Sequence, residues 1–528
     1  MNIRLQLFLI SCISFCSIHA QNTFQKSIGS NDQTMINSVK STSDGGFILA
    51  GTTNIIAKDP SLLAGAGKDV LIIKTNANGD TLWSKAYGTE RDDEAYDVIP
   101  LPDGGYVVAG NTIDSASGNT DILGIRLNAS GNIVWFGQFG GNRDEMAFSV
   151  CLSEDGGYIF SGMTETFTSG YNAAYVVKTN ANGVKQWSRS FEDDDDEDWL
   201  LSSIKTKDGG NVFAGYTNSY GPGRCGMYLI KLKSSGETEW RRSYGGNNHR
   251  SEGYSIKETA DGGFVIAGSI LQTGIGNGRA KDVYVIRLKP DGDTLWTRTY
   301  GGSLDEEGRS VAISADGGYI ISGYTKSFGS GLEDIYVLKL KANGDPLWIK
   351  TFGDKGTDEG YSLVETSDGG IVLAGKWDSG NGFLLKVDKD GNSGCLGNNT
   401  ETFYSSVPTL KLDVNSPIDT PSTIQRSLVY SIEKGRGVAN ICSTDIGFED
   451  DLREENIMVY PNPSQGIFNL VSDLRFNEIN IVDLLGQTIF ASKQPITGNY
   501  LFHIQNSGIY FLTATTGNKS ITKKILVN

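Results

Sequence analysis

Residues Asp316–Trp348 read DGGYIISGYTKSFGSGLEDIYVLKLKANGDPLW. An Asp-Gly-Gly mark opens the stretch. A short apolar run ending in Gly follows, then a loop rich in Gly and Ser. A second apolar run, Ile335 to Leu340, leads into a Gly turn and Trp348. The opening mark recurs at Asp44, Asp103, Asp155, Asp208, Asp261, Asp316 and Asp368. Six tryptophans keep step: Trp83, Trp135, Trp187, Trp240, Trp296 and Trp348. Spacings of 52 to 59 residues make this a repeat architecture.

Within the sixth copy, four runs have strand length and β-branched or aromatic character: Arg309–Ile313, Tyr319–Gly323, Ile335–Leu340 and Pro346–Phe352. Helical periodicity is absent. Asp316-Gly317-Gly318 makes a tight hairpin between the first and second runs, and Asn343-Gly344-Asp345 one between the third and fourth. The second and third runs are apolar on both faces, so both faces must be covered. Seven four-stranded sheets packed face to face around an axis meet that demand, which predicts an all-β, seven-bladed β-propeller. A linear solenoid would need atypical capping repeats, and none is visible.

The seventh copy has a third run at Phe383–Val387 and then the turn Asp388–Asn392, with no Trp strand behind it. Thr23–Ile28 at the other end looks like a lone fourth strand, with Phe24 in the Trp place. The expectation is closure of the ring by pairing of these two segments. The wording of Tyr300–Trp348, YGGSLDEEGRSVAISADGGYIISGYTKS and DIYVLKLKANGDPLW, resembles the bacterial β-propeller repeats called SBBP repeats, over residues 23–392. The resemblance implies the fold and no particular activity. WD40 and kelch patterns do not match: Trp377-Asp378 is out of phase, and the Gly pair precedes the second strand.

Residues 1–20 read as a signal peptide: Arg4, an apolar run from Leu5 to Ile18, and small Ala20. Leu9–Cys12 admits a lipoprotein signal as the alternative. No later segment is long and apolar enough to span a membrane. The domain expectation is a signal peptide at 1–20, a propeller at 21–392, a Cys-bracketed connecting segment at 393–445, an acidic linker at 446–456 and a C-terminal module at 457–528. Without the signal, the chain has 45 basic and 62 acidic residues. That balance disfavours nucleic acid and anionic lipid as partners. Cys395 and Cys442 are disulfide candidates for an oxidising compartment. Cys151 reads as a buried thiol, and Cys225 falls in an expected loop. Between the two modules, Lys411–Val414 and Leu428–Ile432 are expected to form a hairpin.

Variable loops on a rigid scaffold usually carry binding residues. The loops between second and third strands, the longest being Thr52–Lys68, place the candidate face opposite the tight turns. Acidic residues precede the first strands there: Asp93, Glu94, Asp144, Glu145, Asp198, Glu252, Asp305, Glu306, Asp358 and Glu359. Hydrated turn caps are one reading. A Ca²⁺ site on Asp93, Asp144, Asp198, Asp305 and Asp358 is the other, since carboxylate oxygens suit hard cations. The run Asp193–Asp198 reads as a solvated loop. With only His249 and His503 beyond the signal, no His-based catalytic constellation is expected and no catalytic or cofactor residue is assigned. A carboxylate glycosidase, a quinoprotein and a purely structural protein stand as alternatives to a binding protein for a glycan, a surface protein or a cation.

The C-terminal module carries seven short β runs in 457–528, which suggests a small sandwich. It resembles the type A C-terminal sorting domain of the type IX secretion system of Bacteroidota. The matching pieces are VYPNPSQG, with Pro461, Asn462, Pro463 and Gly466; VDLLGQ, with Gly486; Gly508-Ile509-Tyr510; and Lys523-Lys524. The resemblance implies the secretion machinery as partner, release or attachment at the cell surface, and removal of the tail near Ser443–Asn456.

Overall fold

The computed structural model describes residues 23–527 except 30–32, 55–66, 169–170, 192–195, 220–224, 246–248, 273–279, 379, 394–397, 400–402, 406–409, 414–423, 427–430, 435–437, 443–457, 461–466, 484–486, 493–495, 505 and 517–518. The expected signal peptide and acidic linker lie outside the described residues. Two compact units divide between Asp445 and Ile446. Every regular element described is a β-strand.

The first unit repeats a four-stranded antiparallel sheet, as in a β-propeller. The first strands are Met35–Ser41, Asp93–Pro100, Glu145–Leu152, Asp198–Lys205, Arg250–Glu258, Glu306–Ile313 and Glu359–Glu365; the sheets are numbered one to seven in that order. In sheet six the other strands are Tyr319–Thr325, Asp334–Leu340 and Pro346–Phe352. Its second and third strands are buried along their whole length, as their two apolar faces require. Sheet seven has three strands of its own. Phe24–Ile28 occupies the fourth place, antiparallel to Gly382–Val387, with Phe24 opposite Lys386 and Ile28 opposite Gly382.

Neighbouring sheets pack by the same contacts, and sheet seven packs against sheet one in the same way. The aromatic residue of each fourth strand presses on the Gly turn of the next sheet. A Cβ on Gly131 would stand 2.9 Å from the Trp83 ring, and one on Gly183 2.6 Å from Trp135. Trp187, Trp296 and Trp348 meet Gly236, Gly344 and Gly391 likewise, and Phe24 meets Gly79 at 2.7 Å. After Trp240 the pattern changes: Arg242 stands against Gly292, with its guanidinium 5.2 Å from the Trp240 ring.

The Asp of each Asp-Gly-Gly mark does more than shape a turn. In sheet six its carboxylate accepts the Gly318 N–H at 2.9 Å and pairs with Lys339 at 3.1 Å. All seven copies have this pair: Lys74–Asp44, Arg126–Asp103, Lys178–Asp155, Lys231–Asp208, Arg287–Asp261, Lys339–Asp316 and Lys386–Asp368. The cation is buried in the third strand each time, and the carboxylate is largely exposed. Burial alone would raise the Asp44, Asp155 and Asp208 carboxyls, but the lysine, a hydroxyl and a Gly N–H outweigh it and hold each near about 2. Asp261 is held near about 2 by Thr259 and Arg287.

These depressed carboxyls contribute stability that is complete above the unfolded value of about 3.9 and is lost as pH falls toward 2. Two other buried carboxyls act in the opposite sense. Burial raises Asp93 to about 6 and Asp121 to about 7, so their cost to folding is relieved as pH falls through 7 to 5. The first unit should therefore melt highest between about pH 4 and 6 and lose stability steeply below 4. Thermal melts across pH 2–9 check this; a melting temperature constant from pH 5 to 2.5 would refute the role of the Asp44, Asp155, Asp208 and Asp261 pairs.

Residues 398–442 add short strands to the outer edges of six sheets, in reverse order. Asn398–Asn399 pairs with Pro346–Phe352 of sheet six. Phe403–Ser405 pairs with sheet five, Leu410–Asp413 with sheet four, and Ile424–Arg426 with sheet two. Ser431–Lys434 pairs with sheet one, and Val438–Cys442 with Phe24–Ile28. This belt covers edges that would otherwise present unpaired N–H and C=O groups. The expected hairpin of Lys411–Val414 with Leu428–Ile432 is corrected: each partner finds a waiting sheet edge instead. Among the described residues the edge of sheet three has no belt strand.

The second unit has a three-stranded sheet of Met458–Tyr460, Ile467–Phe476 and Ile496–His503, and a four-stranded one of Glu478–Asp483, Thr488–Ser492, Gly508–Thr516 and Lys519–Val527. They share one core, in which Leu470 and Phe502 meet Ile479, Ile481, Leu512 and Ile525. That is the expected small sandwich.

Candidate functional site

Each of the seven first strands slips register by one residue at the same place. The residues left over are Asn37, Tyr96, Phe148, Leu201, Tyr254, Arg309 and Tyr361. The cause lies on the second strand. At Gly323 a Cβ would stand 1.7 Å from the Glu307 carbonyl oxygen, so only glycine lets the bulged backbone come so close. Gly51, Gly110, Gly162, Gly215, Gly268 and Gly375 hold the same position in the other sheets. A bulge re-aims its side chain, and all seven left-over residues line one cavity of about 790 Å³.

The residue after each bulge is Ser38, Asp97, Ser149, Ser202, Ser255, Ser310 or Ser362. These oxygens lace the first strands together. Ser362 Oγ accepts the Val39 N–H at 3.1 Å, Asp97 the Val150 N–H at 3.3 Å, and Ser149 the Ser203 N–H at 3.0 Å. Ser202, Ser255 and Ser310 accept from Ile256, Val311 and Leu363 at 3.3, 3.2 and 3.2 Å. Ser38 donates to Asp97 at 2.8 Å. The unpaired N–H groups that the bulges expose are thereby satisfied. The sequence signal was there to read: one Ser, or Asp97, at a fixed place in every copy.

One arc of the site is aromatic. Tyr96 and Phe148 meet edge to face at 5.2 Å, and Phe148 stacks on Trp199 at 5.3 Å. The Trp199 indole N–H is buried and has no hydrogen-bond partner among the described residues. In the other arc the Arg309 guanidinium lies 4.4 Å from the centre of the Tyr254 ring and pairs with Glu307 at 2.6 Å. Lys40 and Asp97 form an ion pair at 3.0 Å. Burial would raise the Asp97 carboxyl, but Lys40 and the hydrogen bonds it accepts keep it lowered.

The predicted acidic residues fall into two adjacent registers and do not converge. Asp93, Asp198 and Asp358 are buried beside the turns that enter their strands; Asp93 accepts the Thr89 N–H at 2.6 Å and Asp358 the Asp354 N–H at 2.8 Å. Burial raises the Asp358 carboxyl. Asp144 and Asp305 lie one register earlier, accepting the Thr120 and Lys281 N–H groups at 2.8 and 2.9 Å. No group of three or more His, Cys, Asp or Glu suited to a metal ion occurs among the described residues.

The glutamates at the mouth carry their own counter-charges: Lys68–Glu94 at 2.6 Å, Arg250–Glu252 at 2.9 Å, Lys281–Glu307 at 2.7 Å and Lys376–Glu359 at 2.8 Å. The cavity runs the other way, from the bulges to Ser41, Lys205, Glu258 and Glu365 at the tight-turn end. The cavity therefore belongs to the inner strands, and parts of the variable loops lie outside the described residues.

Cys151 is buried, and so is Cys225, which bridges to Arg250. Burial pushes both thiols up to about 12. Cys395 lies outside the described residues, as do Pro461, Asn462, Pro463, Gly466 and Gly486. Gly508 opens a strand that pairs with Lys519–Val527, which contains Lys523 and Lys524; Tyr510 Oη donates to the Asn506 carbonyl at 2.8 Å.

Residues 458–528 match the family described as the secretion system C-terminal sorting domain. That tail marks the chain for export by type IX secretion, and no helix among the described residues is long and apolar enough to cross a membrane. A stretch of 188 residues is 27% identical to the regulatory protein FlaEY of Caulobacter vibrioides, covering 31% of this chain and 19% of that protein. The chain thus spans about a fifth of the length of that relative. Among solved structures, the polysaccharide lyase Uly1 aligns with a TM-score of 0.41 at 12% identity, over 67% of this chain and 90% of that one. The α-L-arabinanase of Penicillium chrysogenum aligns with a TM-score of 0.38 at 10% identity, over 70% and 98%.

Proposed function

We propose that this chain is an exported seven-bladed β-propeller, closed by Phe24–Ile28, that binds a glycan in the cavity between its first strands. The tail directs it to the outer surface or the medium, and the fold of the first unit supplies the binding site. The observation that carries the reading is the convergence of the seven bulge residues on one cavity. Its volume suits a bound small molecule or a short oligosaccharide. Aromatic faces at Tyr96, Phe148 and Tyr254 suit the apolar faces of sugar rings. Asn37, Arg309, Tyr361 and the serine hydroxyls supply polar partners for sugar hydroxyls. Asp93 and Asp358 are engaged in turn capping, and neither lines the cavity. Removal of the tail near Ser443–Asn456 would leave the propeller with its belt as the mature protein.

A glycan array probed with the full chain, followed by product analysis on each hit, tests this. Retention of an oligosaccharide without cleavage is the expected result. Cleavage of the bound sugar would make the protein an enzyme, and retention of none would leave the cavity without the proposed ligand.

A further inference from the structure

Four cations line the cavity, and three of them are paired: Lys40 with Asp97, Lys205 with Glu154 and Arg309 with Glu307. Lys257 is the fourth. It projects from the first strand of sheet five, is half-buried, and among the described residues no carboxylate lies within ion-pair distance of it. The carboxylates at the same end are engaged elsewhere. Glu258 accepts the Lys207 N–H at 2.9 Å, and Glu365 accepts Ser314 and Ala315 at 2.5 and 2.7 Å. Lys257 is thus the one cavity cation without an ion pair among the described residues, and Asp97, Glu258 and Glu365 are the carboxylates of the same wall.

We infer that the glycan taken up by this cavity is acidic, a uronate-type sugar whose carboxylate seats against Lys257 and Lys40. The inference rests on the glycan reading above. A carboxylate there would give Lys257 the ion pair that it lacks, as a charge-assisted hydrogen bond. Burial first, and the neighbouring Lys40 second, pull the Lys257 amine down to about 8. Asp97, Lys205, Glu258, Arg309 and Glu365 are the other charged groups of the cavity wall. Lys257 must be protonated to hold the carboxylate, so uronate binding should weaken as pH rises through about 8.

The test is the full chain on an array of neutral and uronate-bearing oligosaccharides, with Lys257→Gln and Lys257→Arg beside it and melting temperatures measured for all three. Expected are uronate hits on the parent chain, a loss of about tenfold or more in Lys257→Gln with unchanged melting, and recovery in Lys257→Arg. Hits that are neutral sugars, or uronate hits untouched by Lys257→Gln, overturn the acidic preference and leave the glycan reading standing. If Lys257→Gln fails to fold, the fall of uronate affinity of the parent chain between pH 7 and 9 decides, and a flat profile overturns the inference. Absence of any hit overturns both.

Discussion

A chain lacking residues 21–29 should melt at least about 5 °C below the full chain, with sheets one and seven losing protection together. The segment is short, but it sits between two strands. It has five register partners on Gly382–Val387 and four on Val438–Cys442. Phe24 and Ile28 are buried in a core that joins Ile36, Val39, Leu49 and Leu71 of sheet one to Val372, Ala374 and Leu384 of sheet seven. Two such side chains are worth about 1.5–3 kcal/mol each in burial alone, and the ladder bonds add about 1 kcal/mol apiece. Lys26 also reaches across to Asp80 of sheet one. Deletion removes the fourth strand of one sheet and the seam to the next. Phe24→Ala is the milder form and should cost about 3 kcal/mol, because the ring that covers Gly79 would leave a cavity. Differential scanning calorimetry of both variants checks this, and melting temperatures equal to the parent would show that closure does not depend on this strand.

Gly323→Val should be the most damaging single substitution in sheet six, at about 4 kcal/mol or more. Its Cβ would collide with backbone, the Glu307 carbonyl at 1.7 Å, and backbone cannot step aside as a flexible side chain can. The bulge would have to straighten, which turns Arg309 away from the cavity and breaks the Ser310 bond to Leu363 of sheet seven. Gly317→Ala is the instructive comparison. That glycine has φ +81 and nothing within 4 Å of an added Cβ, so the cost is backbone strain alone, about 1–2 kcal/mol. Urea titration of the two variants should therefore separate them clearly. Equal small losses would mean that the bulge tolerates a side chain and is not what aims Arg309.

The features that the sequence displays best are those with a local cause repeated many times. Alternation, turn glycines and the Trp phase mark the strands of each copy, and Phe24 is recognisable because it falls in the Trp phase with no third strand before it. The expected first strand of sheet six, Arg309–Ile313, is three residues shorter than the observed Glu306–Ile313. The bulge breaks the alternation at Arg309 and hides the part before it. The cation partners of the Asp-Gly-Gly marks are masked differently. Lys339 and its equivalents sit in strands that are otherwise apolar, where a charged residue reads as an interruption until its partner is seen.

The belt is the least legible part. Its strands run from two to five residues and have no periodicity of their own, because the ladder they join is supplied by sheets lying far away in sequence. The charge balance of the acidic residues is hidden for a related reason. Their compensating cations, Lys68, Lys281 and Lys376, come from outside the strands that carry the carboxylates, so a ring that looks acidic in one dimension is balanced in three. The cavity follows the same logic. Loop variability points outward, whereas the cavity is built by bulges, which a one-dimensional pattern does not announce.

The claim at the centre of this account is that the cavity between the seven first strands is where ligand sits. Leu201 lines it from a bulge of sheet four, and Leu201→Trp would fill part of it from a position that makes none of the lacing hydrogen bonds. Isothermal titration of the strongest array hit into the parent chain and into Leu201→Trp is the direct measurement. The account predicts affinity reduced by about tenfold or more with an unchanged melting temperature. Equal affinity in the two proteins would place the ligand elsewhere and contradict it.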